Sequence, residues 1–251
     1  GVMLGGSRAR DEHTAGSDVD LGLYYRPPLD VAAVADLAQE VAGAGAEVTA
    51  PGAWGPWVDG GGWLSVTGTA VDWIYRDLNR VRGAWADAKA GRYSFHAQVG
   101  HPLGVPDFAY VGEVALGVVL ADPSGELRQL HEQFQSYPAP LSTALVQGLW
   151  EASFLLGIAR KAVPRRDTAY VGGCLFRVVG LCAHALHGRD GRWLVNEKGA
   201  VTSAGRLPHA PKDFAAQAHG LLGHLGTSSE RLGAVLDDAQ DLVARTTAAC
   251  R

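Results

Sequence analysis

Two glycines and a serine near the start of the chain are followed, eleven residues later, by a pair of aspartates. Gly5-Gly6-Ser7 lies between an apolar segment and a short predicted helix, where backbone N–H groups and the helix N-terminus can face a phosphate. Asp18 and Asp20 lie two apart on a predicted strand, so they project from the same face. Two such close carboxylates repel each other unless a cation lies between them, and Mg²⁺ typically binds through one or two carboxylates plus substrate phosphates. These residues could therefore support metal-assisted transfer of a nucleotidyl group.

This pattern resembles the nucleotidyltransferase superfamily that includes DNA polymerase β and the aminoglycoside nucleotidyltransferases. That family has a Gly-Ser loop, a spacer, and then Asp-x-Asp on a strand, which Gly6-Ser7, Asp18 and Asp20 match in type and spacing. The resemblance covers roughly residues 1–122. The helical second half is similar, more loosely, to the helical-bundle domain of antibiotic nucleotidyltransferases.

A third carboxylate follows on a later strand in that family. Asp72, among apolar neighbours in Ala70–Tyr75, is the natural candidate. Asp77 and Asp59 are the alternatives, although Asp77 is predicted to cap a helix and Asp59 lies in a predicted loop.

The resemblance implies a role for each of these residues. Asp18, Asp20 and Asp72 would be the catalytic residues and the ligands of two Mg²⁺ ions that act with the nucleotide, and Asp72 would either complete the second metal site or take the proton of the acceptor. The implied reaction moves a nucleoside monophosphate, with AMP from ATP favoured, to a hydroxyl group and releases pyrophosphate. The nucleotide would be bound by Gly5, Gly6, Ser7, Arg8 and Ser17, and by one lysine of the second half.

In the resembling antibiotic enzymes, the helical domain supplies a lysine to the triphosphate and acidic groups to a cationic acceptor. Lys198 is one of only four lysines in the chain and is the expected triphosphate ligand. Four residues are expected to bind the acceptor. Glu151 places a carboxylate in an otherwise apolar predicted helix, and helical spacing relates Asp167, Tyr170 and Arg177. The alternative for these side chains is an ordinary salt-bridged surface of a helical bundle.

Three classes of function remain open from the sequence. The first is a nucleotidyltransferase acting on a small molecule such as an aminoglycoside-like antibiotic, which would confer antibiotic resistance. The second is an antitoxin-like nucleotidyltransferase that modifies protein or RNA, and the third is a non-catalytic nucleotide-binding module. The intact carboxylate set argues against the third class, and the large helical half argues against the second.

Composition and charge narrow the setting. The chain has 251 residues, of which 47% are hydrophobic and 19% charged, and this excludes a disordered chain. The net charge of −4 makes nucleic acid an unfavourable partner. Three cysteines without metal-binding spacing predict buried, reduced thiols, and the apolar runs look too short for a membrane span. We therefore expect a cytoplasmic protein.

The pattern of elements predicts an α+β protein: an N-terminal catalytic domain with a small mixed sheet flanked by helices, then an all-helical bundle. The first half alternates between strand and helix periods, including a predicted strand at Asp18–Tyr25, a helix at Leu29–Gly43, a short strand at Ala46–Thr49 and a hairpin around Thr67-Gly68. The second half carries helical periodicity almost throughout. We expect domains at 1–124 and 125–251.

Three tryptophans, Trp54, Trp57 and Trp63, flank a glycine-rich loop at Pro51–Gly62. Core or lid packing is the favoured interpretation for them, with a base-stacking platform as the alternative.

Overall fold

A five-stranded mixed sheet forms the framework of the first half of the chain, in a computed structural model that describes residues 1–251. The spatial order of its strands is β3-β4-β2-β1-β7, and a separate hairpin pairs β5 with β6. The strands are β1 (Val2–Leu4), β2 (Val19–Tyr25), β3 (Gly61–Val66), β4 (Thr69–Asp77), β5 (Phe95–Gln98), β6 (His101–Pro106) and β7 (Val118–Ala121). The accompanying helices are α1 (Gly6–Ala9), α2 (Val31–Ala42), α3 (Leu78–Lys89), α4 (Ala109–Leu116) and α5 (Glu126–Phe134).

One face of the sheet is closed by α2. Val71 and Trp73 of β4 are buried with Leu64 of β3 and Ala38 of α2. The alternating residues of β2, beginning with Val19, pack against this cluster. Because side chains alternate along a strand, the aspartates between these apolar residues must lie on the opposite face.

The opposite face is filled at one end by α4. Arg76 of β4 is 7% exposed, and its guanidinium Nη2 donates to Glu113 Oε1 of α4 at 2.7 Å. Burial alone would lower the pKa of Arg76, but the neighbouring Glu113 carboxylate outweighs it and raises that pKa. Tyr24 of β2, the register partner of Arg76, is also buried. The other end of the same face carries Asp20 and Asp72.

Helix α2, which follows β2, and the hairpin of β3 and β4 form where the sequence predicted them. Asp30 caps α2 by accepting a hydrogen bond from the Ala33 N–H at 3.1 Å. Thr67 and Gly68 have φ angles of 50° and 82°, the left-handed turn that matches the twist of a two-residue hairpin.

The predicted strand at Ala46–Thr49 is wrong. This segment has no strand geometry, and the Thr49 N–H donates to the Gly61 carbonyl at 2.8 Å. It lies beside the start of β3 without forming a ladder, and Glu47 and Val48 closely approach Gly62. The apolar alternation of so short a segment also suits an extended chain that covers a sheet edge.

The chain divides into two compact units later than the predicted boundary near 124. The first unit comprises residues 1–88 and 93–136, and the second comprises 89–92 and 137–251. Helix α5 belongs to the first unit because Phe134 packs on Trp85, with ring centroids 4.8 Å apart. His131 of α5 is also hydrogen-bonded through Nδ1 to the Val114 carbonyl at 2.8 Å.

The second unit is helical, as predicted. Its helices are α6 (Ala139–Gln147), α7 (Leu149–Arg160), α8 (Thr168–Arg189), α9 (Ala200–Ala204), α10 (Phe214–Gly223) and α11 (Ser229–Ala249). Helix α8 lies at the centre and packs against α6, α7, α9, α10 and α11. Cys174, Cys182 and Cys250 are free and buried, as expected.

Two helical segments are long and apolar enough to cross a membrane by composition alone, in contrast to the expectation from the sequence. They are Ala139–Arg160 and Thr168–Arg189, and 61% of the most apolar window of the second is buried inside the protein. The core helix of a soluble protein passes the same test, so these segments are weak evidence for a membrane span.

Candidate functional site

The loop between α1 and β2 is held by Arg8. Its Nη2 donates to the Ser17 carbonyl at 2.6 Å, and its Nε donates to the Asp18 carbonyl at 2.9 Å. Ser17 Oγ accepts a hydrogen bond from the Thr14 N–H at 2.9 Å. Both side chains position the entry to β2, and nucleotide binding by Arg8 and Ser17 stays a prediction.

The glycine loop lies directly against the aspartate strand. The Gly5 N–H donates to the Asp20 carbonyl at 2.8 Å, which extends the pairing of β1 with β2 by one residue. Gly6 has a φ angle of +61°, and a Cβ atom there would overlap the Asp20 carboxylate at Oδ2. Only glycine therefore leaves room for the Asp20 side chain beside this backbone.

Asp20 and Asp72 are direct neighbours across the sheet. Strands β2 and β4 are parallel, and their register pairs Asp20 with Asp72 and Val19 with Val71. Neighbouring strands are about 4.8 Å apart, so two carboxylates on one face at paired positions lie close together. Asp18 precedes Asp20 by two residues, just before β2 begins, and its side chain is exposed.

The donor set suits a hard cation, but it is not a complete metal centre by itself. No group of three or more His, Cys, Asp or Glu side chains is arranged to hold a metal ion. Mg²⁺ commonly takes only one or two carboxylates from the protein and completes its shell with phosphate oxygens and water. The residues present therefore fit a metal that binds together with its nucleotide.

The two alternative third carboxylates have structural roles. Asp77 Oδ1 accepts a hydrogen bond from the Asn79 N–H at 2.8 Å at the start of α3, as its predicted capping role requires. Asp59 is buried, and its two oxygens accept hydrogen bonds from the Tyr25 hydroxyl at 2.9 Å and the Gly52 N–H at 3.0 Å. Asp72 therefore stays the preferred third carboxylate.

The contact between Gly6 and Asp20 leads to a prediction. In Gly6→Ala the new methyl group must displace the Asp20 carboxylate, and misplacing a catalytic group by about 1 Å can lower the rate by roughly 10²-fold. The positive φ angle adds a stability cost of about 1 kcal/mol. Turnover and thermal unfolding would measure both effects. Gly16→Ala is the matched control, because nothing lies within 4 Å of a Cβ atom there. Equal turnover in the two variants would contradict the prediction.

The candidate acceptor-binding residues of the second unit engage one another. Arg177 of α8 forms a salt bridge through Nε with Glu151 Oε1 of α7. Asp167 caps α8, and its Oδ1 accepts a hydrogen bond from the Tyr170 N–H at 3.1 Å. Tyr170 is 45% exposed. These contacts match the alternative of a salt-bridged, capped bundle, and acceptor binding by the four residues stays a prediction.

Lys198 lies in the segment between α8 and α9 of the second unit. Its N–H donates to Asn196 Oδ1 at 2.9 Å in an exposed turn, and Gly199 follows with a left-handed φ angle of 73°. The expected turn is therefore present, and nucleotide binding by Lys198 stays a prediction.

The three tryptophans near the glycine-rich loop differ in their surroundings. Trp57 packs as predicted: its ring stacks on His96 at 3.6 Å and lies under the Arg80 guanidinium. Trp63 does not pack in this way, because its side chain is 73% exposed on the edge strand β3. One face of its ring stacks on Trp54, with ring centroids 4.4 Å apart. Alternation along β3 could have indicated an outward Trp63, since Leu64 is buried.

Comparison with known proteins finds a family match for the N-terminal segment. Residues 1–48, which contain the glycine loop and the aspartate pair, match the family model described as a nucleotidyltransferase domain. No curated protein matches the chain. A nucleotidyltransferase-like protein from Exiguobacterium sibiricum 255-15 is similar in structure, with 14% sequence identity, a TM-score of 0.48, and coverage of 97% of this chain and 68% of that chain. Residues 1–48, with Gly6, Asp18 and Asp20, are therefore similar to a nucleotidyltransferase domain.

Proposed function

We propose that this nucleotidyltransferase moves a nucleoside monophosphate, with AMP from ATP favoured, to a hydroxyl group of a small-molecule acceptor. The observation that carries the proposal is the pairing of Asp20 with Asp72 on adjacent parallel strands, directly beside the Gly5-Gly6-Ser7 loop. This places two carboxylates next to a backbone that can receive phosphates.

Asp18, Asp20 and Asp72 are the residues that would hold Mg²⁺. When bound with the nucleotide, the metal neutralises phosphate charge and lowers the pKa of the acceptor hydroxyl. The carboxylates would supply only part of the coordination shell, and phosphate oxygens of the nucleotide and water would supply the rest.

The protein's own groups divide the remaining work. Gly6 and Ser7 hold the β- and γ-phosphates, and Asp72 takes the proton of the acceptor hydroxyl. The acceptor oxygen forms a bond to the α-phosphorus while the bond from that phosphorus to the bridging oxygen breaks. Pyrophosphate leaves with the electron pair of the broken bond.

The direct test is incubation of the protein with each α-labelled NTP, Mg²⁺ and a panel of acceptors. The panel contains aminoglycosides, lincosamides, tRNA and cell protein. Label transferred to a small molecule supports the proposal. Label found only on protein or tRNA would assign the chain to the macromolecule-modifying class, and no transfer to any acceptor would favour a binding module.

Metal binding should depend on nucleotide. We expect Mg²⁺ or Mn²⁺ alone to bind weakly, because the protein offers too few ligands without phosphates. Calorimetry with the metal alone, and then with a non-hydrolysable NTP present, measures the difference. Tight binding of the metal without nucleotide would contradict the ligand set proposed here.

Lys198 is proposed to bind the γ-phosphate, where a point charge on a flexible stem is suitable. Lys198→Ala should then raise the apparent KM for NTP more than the KM for the acceptor. Lys212→Ala, in another loop of the same unit, is the matched control. Unchanged NTP kinetics would assign Lys198 to an ordinary surface position.

A further inference from the structure

Trp63 lies in the same row of the sheet as the two paired carboxylates. Strands β3 and β4 are antiparallel with Trp63 opposite Asp72, and β4 pairs Asp72 with Asp20. Residues directly opposite each other have Cβ atoms about 4.5–5.5 Å apart on the same face. Across the sheet the order is therefore an aromatic ring, two carboxylates and the glycine loop that follows β1.

The indole of Trp63 is held in place, yet one of its faces is open. Trp54 stacks on it with an interplanar angle of 14°, and Trp63 nevertheless remains 73% exposed. Beside the pair, along the β3 edge of the sheet, runs a groove of about 550 Å³. It is lined by Trp54, Trp63, Ala42 of α2 and segments of residues 45–49 and 61–65, and the paired carboxylates are not among its lining residues. This volume is in the range of small-molecule sites.

The direction of the reaction decides which substrate this ring meets. In phosphoryl transfer the attacking and leaving oxygens lie roughly in line across the phosphorus. If the glycine loop holds the leaving pyrophosphate, the acceptor oxygen approaches from the opposite end of the row, where Asp72 and Trp63 lie. The nucleoside stays bonded to the α-phosphorus and extends to the side of this line.

We infer that Trp63, backed by Trp54, is an acceptor-positioning residue that stacks on a ring of the acceptor. The stacking directs a hydroxyl group, attached to that ring directly or through one carbon atom, toward Asp72. The inference rests on the proposed function for the direction of attack. It narrows the acceptor to molecules with a flat apolar ring face, whether a sugar ring or an aromatic ring. Open-chain polyols lack that face.

Binding can be tested without turnover. Saturation-transfer NMR would use methyl α-D-glucopyranoside, benzyl alcohol and the open-chain polyol sorbitol as probes, each with wild type, Trp63→Ala and Trp63→Phe. We expect ring protons of at least one ring probe to receive saturation from wild type and Trp63→Phe, and roughly five- to tenfold less from Trp63→Ala. Trp150→Ala is the matched control, since Trp150 is 68% exposed in the second unit. Whichever ring probe responds identifies the kind of ring.

Kinetics with the acceptor found in the labelling panel give the second readout. Trp63→Ala should raise the acceptor KM about tenfold with an unchanged KM for NTP, and Trp63→Phe should restore most of the loss. Equal saturation in wild type and Trp63→Ala, equal signals from sorbitol and the ring probes, or a rise in the NTP KM alone would overturn the inference. Absence of nucleotidyl transfer would overturn the proposed function only, because the NMR result stands without it.

Discussion

The substitution Asp20→Asn should abolish nucleotidyl transfer, with turnover at least about 10³-fold below wild type. A loss of this order is seen when a key electrostatic group is removed from an active site. Asp20 adjoins Gly6 on one side and pairs with Asp72 on the other, so its charge acts on every component of the proposed site. Asparagine keeps the shape of the side chain and removes only the charge. The measurement is transfer of labelled nucleotide at saturating NTP and Mg²⁺.

The control for Asp20→Asn is Asp77→Asn. Asp77 lies on β4 as well, but its carboxylate caps α3, and asparagine caps helices about as well as aspartate does. We therefore expect near wild-type turnover and stability from this control. Substantial turnover by Asp20→Asn would show that the paired strands are not the reacting centre.

The second large effect is expected at Asp72. Asp72→Asn should leave NTP binding largely intact and lower kcat by roughly 10²–10⁴-fold, the range for loss of a general base. Binding of a non-hydrolysable NTP, measured by calorimetry, separates this effect from loss of the nucleotide site.

Two other results at Asp72 would be informative. Loss of NTP binding together with kcat would limit Asp72 to its proposed role as a ligand of the metal that binds with the nucleotide, without a role as the base. Turnover equal to wild type would remove Asp72 from the site. The third carboxylate would then have to be Asp77 or Asp59, each of which would first have to give up its structural hydrogen bonds.

The elements that carry the candidate site were predictable from the sequence where local signals are strong. Alternation identified β2, Asp30 marked the start of α2, and Thr67-Gly68 identified the β3–β4 hairpin. The motif at Gly6-Ser7 and Asp18 also required only local spacing. In each case the information lies within a few residues of the feature itself.

Features that depend on distant contacts were not predictable in this way. No local pattern states that β2 and β4 are parallel neighbours with Asp20 opposite Asp72. The hairpin of β5 and β6 was missed because its strands are short and lack alternation. The apolar run Val114–Ala121 contains the end of α4 and all of β7, which meet at Gly117, and hydrophobicity alone does not reveal such a break.

Pairing of β2 with β4 also bears on when the candidate site forms during folding. The two strands are separated in the chain by α2, the Pro51–Gly62 loop and β3, so their parallel pairing is a non-local contact. Such contacts form slowly, because the entropy of closing a long loop is lost before the contacts compensate for it. The helices of the second unit need only local contacts for their hydrogen bonds. We therefore expect the carboxylate pair to be among the last parts of this protein to assemble, so that helical content forms before the candidate site does.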